Sequence, residues 1–182
     1  MSRHYSPSTR EVIGDLIMGM HVETTGGVLV AANFTTGGTN TTLFNIYGRI
    51  GIKQLFIELT AAADANATQV LFYCTFTTPV IALNAMCLKS DSIANLGAYG
   101  RIIWTGDVVG TGQAEISDSA GLTDIDPAGK LHILGGVSAA GVATVGVIGM
   151  QASDATQAAT IAATGHLFYV PMSTGAYAEA AL

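Results

Sequence analysis

Thr164-Gly165-His166-Leu167-Phe168-Tyr169-Val170-Pro171 is the stretch from which the fold class follows. Aromatic and β-branched residues follow a Thr-Gly pair, and the run stops at a proline. Pro171 has no N–H to give to a ladder, so it suits a strand end or a sheet edge. Working back along the chain, Leu55-Phe56-Ile57-Glu58-Leu59-Thr60 alternates cleanly. Leu55, Ile57 and Leu59 fall on one face, with Phe56, Glu58 and Thr60 on the other, as in a strand with one buried face. Gln69 to Thr77 carries large side chains on both faces, which predicts a central strand or one covered on both sides. Leu43 to Ile52, Arg101 to Val109, Lys130 to Leu134, Val142 to Met150 and Ala158 to Val170 supply further strand candidates. Ala82 to Leu88 is read as strand or loop. The Ala-rich Asp154 to Ala163 is read as extended, because its threonines and β-type flanks oppose its helical propensity. Short strands separated by glycine-rich turns predict an all-β fold, an antiparallel β-sandwich or jelly-roll.

Composition shows no break after residue 27. Residues 28–182 are therefore read as a single β-sandwich domain, with residues 1–27 as an extended N-terminal arm. Ser8 or Thr9 caps a short helical stretch from Arg10 to Met18, which Gly14 and Gly19 weaken. Val12, Ile13, Leu16, Ile17 and Met18 make the arm too apolar for a solvated tail, so they are expected at an interface with a neighbouring subunit. Tyr177 joins them as an exposed aromatic on the C-terminal segment.

Hydrophobic residues make up 49% of the chain and charged residues only 11%. An average soluble domain carries about 25% charged residues. Either Thr, Ser, Asn and Gly coat the surface, or apolar surface is hidden against other subunits. The net charge of −6, with basic residues scattered along the sequence, argues against nucleic acid as a partner. No apolar run is long enough to cross a membrane. Cys74 and Cys87 both lie in apolar surroundings and read as buried thiols, with no disulfide framework.

Catalytic motifs fail one by one, so no enzyme, no catalytic residue and no cofactor is expected. Gly110-Thr111-Gly112-Gln113-Ala114-Glu115 has Glu115 where a dinucleotide-binding loop needs glycine. Gly136-Val137-Ser138-Ala139-Ala140 lacks the final glycine of a nucleophile elbow. His4, His21, His132 and His166 are dispersed, with no H-x-H or H-x-x-x-H pair, and are expected as surface or packing residues. His132 and His166 lie in strand candidates that the fold is able to bring together. The acidic segment Glu115 to Asp126 fails the EF-hand pattern, because Ala128 and Gly135 stand where oxygen ligands are required. It reads as a solvated loop, with a structural ion as the alternative.

The C-terminal run, from Thr164-Gly165 through Tyr169-Val170-Pro171 and Met172-Ser173-Thr174 to Gly175-Ala176-Tyr177, resembles the closing segment of small bacteriophage virion structural proteins. Leu43-Phe44-Asn45-Ile46-Tyr47-Gly48-Arg49 is similar to an opening strand of the same group. Lys130-Leu131-His132-Ile133 after Pro127-Ala128-Gly129 resembles its penultimate section. The resemblance spans roughly residues 40–180, and the arm has no counterpart in it. It implies a β-sandwich capsid decoration or cement protein, assembled in the host cytoplasm and located on the virion. It also implies self-association as a homotrimer and the major capsid protein as partner. The alternative is a tail- or head-fibre component, or a receptor- or glycan-binding β-sandwich module. That module needs an exposed Trp or Tyr platform, whereas Trp104, the sole tryptophan, lies among apolar neighbours and is expected in the core.

Overall fold

The computed structural model describes residues 19–24, 40–63, 69–77, 80–88, 90–104, 115–117, 132–135, 145–152 and 162–181. They form eleven strands in two antiparallel sheets, a β-sandwich, with no helix among the described residues. The strands are β1 (Met20–Glu23), β2 (Asn40–Tyr47), β3 (Ile50–Leu59), β4 (Val70–Thr77), β5 (Val80–Ala85) and β6 (Arg101–Trp104). The series continues with β7 (Glu115–Ser117), β8 (His132–Leu134), β9 (Val145–Ala152), β10 (Ala163–Pro171) and β11 (Tyr177–Ala180). Sheet A runs β1-β10-β3-β6-β7, with β8 also pairing β3, and sheet B runs β11-β2-β9-β4-β5.

Alternation builds the core as the sequence predicts. On β3, Leu55, Ile57 and Leu59 are buried while Phe56 and Glu58 are half-buried on the outer face. Leu167 and Tyr169 of β10 join them, and Trp104 of β6 pairs across from Leu55. From sheet B come Phe44, Ile46, Phe72, Phe76, Ile148 and Met150, all buried. Full burial of one such side chain is worth roughly 1.5–3 kcal/mol, so this interior dominates the stability of the fold. Polar groups inside it are bonded. Trp104 Nε1 donates to the Met86 carbonyl at 3.1 Å, and the Ala178 N–H donates to the Tyr169 hydroxyl at 3.0 Å, tying sheet B to sheet A.

The stretch from Leu43 to Ile52 is not one strand. It breaks at Gly48 and Arg49, and the chain passes there from sheet B to sheet A. Gly48 has φ +73°, and a Cβ on it would meet Ser173 Oγ at 2.9 Å and Ala176 Cβ at 3.1 Å. A second passage between the sheets, from β10 to β11, crosses at the same end. Arg49 N–H donates to Ser173 Oγ at 3.0 Å, and Met172 N–H donates to the Arg49 carbonyl at 2.8 Å. Two chain crossings thus lock together in one corner.

β4 is paired on both sides, by β9 and β5, as its two-faced sequence predicts. Ala82 to Leu88 resolves into the end of β5 and a bridge at Leu88. The described end of the N-terminal arm is a sheet element of this same subunit, with β1 pairing β10 from Met20↔Tyr169 to Glu23↔His166. Thr24 is fully buried. Its Oγ1 accepts from the Gly165 N–H at 2.8 Å, and its own N–H donates to the Gly165 carbonyl at 3.0 Å. Val12, Ile13, Leu16, Ile17 and Met18, Val28 to Val30, and Asp154 to Ile161 lie outside the described residues.

Candidate functional site

The outer face of sheet A brings His21, Glu23, Glu58, Arg101 and His166 together. Strand period places His21 and Glu23 on one face of β1, because residues two apart point the same way. Register sets Glu23 opposite His166, and His166 in turn opposite Phe56 on β3. His21 lies opposite Phe168, one step diagonal to His166. Two stacks result. The His21 ring lies on Phe168, with centroids 4.2 Å apart, and the His166 ring lies on Phe56, at 4.6 Å. Side by side, the two imidazoles are parallel within 8°, with His21 Nε2 3.3 Å from His166 Nδ1. Glu23 Oε2 stands 3.9 Å from that same Nδ1.

Burial pushes the His166 imidazole below its ordinary value, Glu23 pulling against this and His21 reinforcing it. Beyond Phe56, the Arg101 guanidinium lies 5.4 Å from that ring centroid and bonds Glu58 at 2.7 Å. The half-exposed Arg101–Glu58 pair contributes little stability, and a cation–π contact of this kind adds about 0.5–1 kcal/mol. Among the described residues, His21, Glu23 and His166 are the group whose ligand atoms all lie within 4.8 Å of one another.

The histidines therefore meet in a pairing the sequence does not announce. In register, His166 pairs with Phe56 on one side of β3 and His132 with Ile52 on the other, four residues earlier. The local sign that was available is His21-x-Glu23, two ligand types at strand period. No spacing connects either to His166, which arrives 145 residues later.

A second surface lies at the corner end. Of the six large apolar side chains that stand exposed among the described residues, Val145 at 45% and Tyr177 at 44% share sheet B at this end, with Met172 at 41% in the turn before β11, whereas Ile133 at 54% stands on sheet A. Tyr177, Tyr47 and Val145 form one row across β11, β2 and β9. Tyr47 stacks on Tyr177 at 4.4 Å and donates its hydroxyl to Glu179 Oε1 at 2.7 Å, which raises its own pKa. Tyr177, expected at an interface, is thus an exposed member of an apolar band. Trp104 is in the core, where it offers no platform for a sugar. Of the acidic segment, Glu115 to Ser117 is strand β7 rather than loop, and Asp118, Asp124 and Asp126 lie outside the described residues.

Comparison with known proteins finds no family model, no curated protein and no solved structure that matches this chain.

Proposed function

We propose that this chain is a structural protein of a virion, a decoration or cement protein that joins copies of itself and stabilises neighbouring subunits of the major capsid protein. The observation that carries self-association is the apolar band at the corner end, in a chain with few charges to spare for a surface. Interface cores disfavour Lys, Glu and Asp and favour Tyr and Met. The occupant of the band is a second copy of this chain. Tyr177 sits on β11, the last strand of sheet B among the described residues. A standard contact hides about 800 Å² on each partner, of which somewhat over half is apolar, or on the order of 20 kcal/mol gross, from which association costs of about 4–15 kcal/mol are subtracted.

The virion setting and the trimer rest on the resemblance of the Phe44-Asn45 and Tyr169-Val170-Pro171 segments to phage structural proteins. Light scattering on the purified chain should give the mass of three copies. The double variant Tyr177→Lys, Val145→Lys should shift that mass toward one copy without loss of β signal in circular dichroism. A single-copy mass for the unmodified chain at micromolar concentration would overturn self-association. Labelled protein should decorate heads when mixed with particles, and label confined to tails would move the assignment to the fibre reading. A glycan-binding module is the rival class, for which the Tyr47–Tyr177 stack beside Glu179 is a candidate platform among the described residues. Binding on a glycan array that vanishes with Tyr177→Ala would establish it.

A further inference from the structure

We propose that His21, His166 and Glu23 form a zinc site that clips strand β1 to strand β10. Tetrahedral ligands held about 2.05 Å from zinc stand about 3.3 Å apart. The observed separation of His21 Nε2 and His166 Nδ1 is 3.3 Å. The two nitrogens stand one tetrahedral edge apart and face each other, and a modest in-plane rotation of the rings, which leaves each stack intact, turns both lone pairs toward a shared point. The rings are parallel within 8°, and each is fixed against a phenylalanine. The imidazoles are held in place by packing before any ion arrives. Glu23 Oε2 lies 3.9 Å from His166 Nδ1 on a side chain that is half exposed. One rotamer adjustment brings it to the third vertex, and the fourth faces solvent and takes water.

Two imidazoles and one carboxylate form a borderline donor set, which suits zinc and not calcium or magnesium. The other carboxylate of this face, Glu58, is already bonded to Arg101, which leaves Glu23 as the acid of the cluster. Binding asks for specific tautomers. The ring proton sits on His21 Nδ1 and on His166 Nε2, so that the two facing nitrogens both present lone pairs. Without metal, one of these nitrogens carries the proton and donates it to the other.

The function of such a site is mechanical. Two of its ligands are on the edge strand that begins the described chain, and the third is on the strand it pairs with. The ion cross-links residues about as far apart in sequence as a long disulfide loop would.

The test uses the full chain, stripped with chelator and titrated with Zn²⁺ alone. Calorimetry should give one ion per chain, and the melting temperature should rise with Zn²⁺. Co²⁺ in its place should give the intense visible absorption of a tetrahedral centre. Replacing a ligand should cost more than the roughly 10–100-fold in affinity that outer-shell changes cost. His21→Ala and Glu23→Gln alter exposed side chains and should melt near the unmodified chain without metal, yet lose the zinc-dependent rise. His166→Gln provides a third variant, though its ring is more deeply packed. Absence of saturable one-to-one binding would overturn the site and leave a histidine–histidine hydrogen bond. Binding that survives both His21→Ala and Glu23→Gln would also overturn it, since the ion would then sit elsewhere.

Discussion

Cys74 stands on the inner face of β4, opposite Ile148, and burial pushes its thiol up from 9.0 to about 11. The sign of the effect follows from which state ionises first. As pH rises through 9 the unfolded chain gains a thiolate that the fold resists, so this stability is complete below pH 9 and is lost on the way to pH 11. At pH 8 a thiol with a pKa of about 11 is roughly 0.1% thiolate, against roughly 10% for one at 9. Iodoacetamide should therefore label Cys74 about a hundredfold more slowly in the folded chain than in urea, as read by mass spectrometry. Equal rates would mean that β4 opens freely. That both cysteines are buried, unbridged thiols is legible from their apolar neighbours. The meeting of His21 with His166 is not, because the register between β1 and β10 brings them together and no local pattern encodes it.

At the scale of elements, strands with one buried face are the most legible. β3 and β10 follow their alternation, and β4 declares its central place by carrying large residues on both faces. Boundaries set by backbone conformation are less so. The turn at Gly48 falls inside a continuous β-type run, and only a left-handed φ packed against Ser173 and Ala176 shows the chain changing sheets there. β1 hides in the same way. Its four residues are too few to display a period, and their partner strand begins at Ala163. This affects how the arm is to be tested. A truncation that ends before Gly19 spares β1 and isolates the docking role proposed for Val12 to Met18, whereas deleting residues 1–20 would cut into the sheet. Removing residues 1–24 instead strips Met20 and Val22 from the core edge and orphans the Gly165 N–H inside it. Two partly buried side chains and the lost hydrogen bonds together come to about 3 kcal/mol. The shorter chain should show that loss in urea unfolding when compared with one lacking only residues 1–18. Equal midpoints would mean that β1 adds nothing.

For the whole molecule, the two-sheet architecture follows from strand count and turn spacing, but the membership of each sheet does not, since it depends on pairings between distant segments. An assembly built on the apolar band also has a signature of its own. Its contact is hydrophobic, so raising salt from low to molar concentration should leave the light-scattering mass unchanged or increase it. Dissociation by salt would point to charge pairs instead and displace the band from its role. The position of β10, between β1 and β3, carries one more consequence. The first described strand has no partner until the tenth has formed, and β2 likewise waits for β9. Such long loops must close before most native pairings repay them, which places folding in the slow millisecond-to-second range of all-β chains. During that interval β1 is an open edge, a template on which another nascent copy is able to pair wrongly. Histidines at positions 21 and 166 would then act as a latch, letting an ion reward the correct partner over the wrong one.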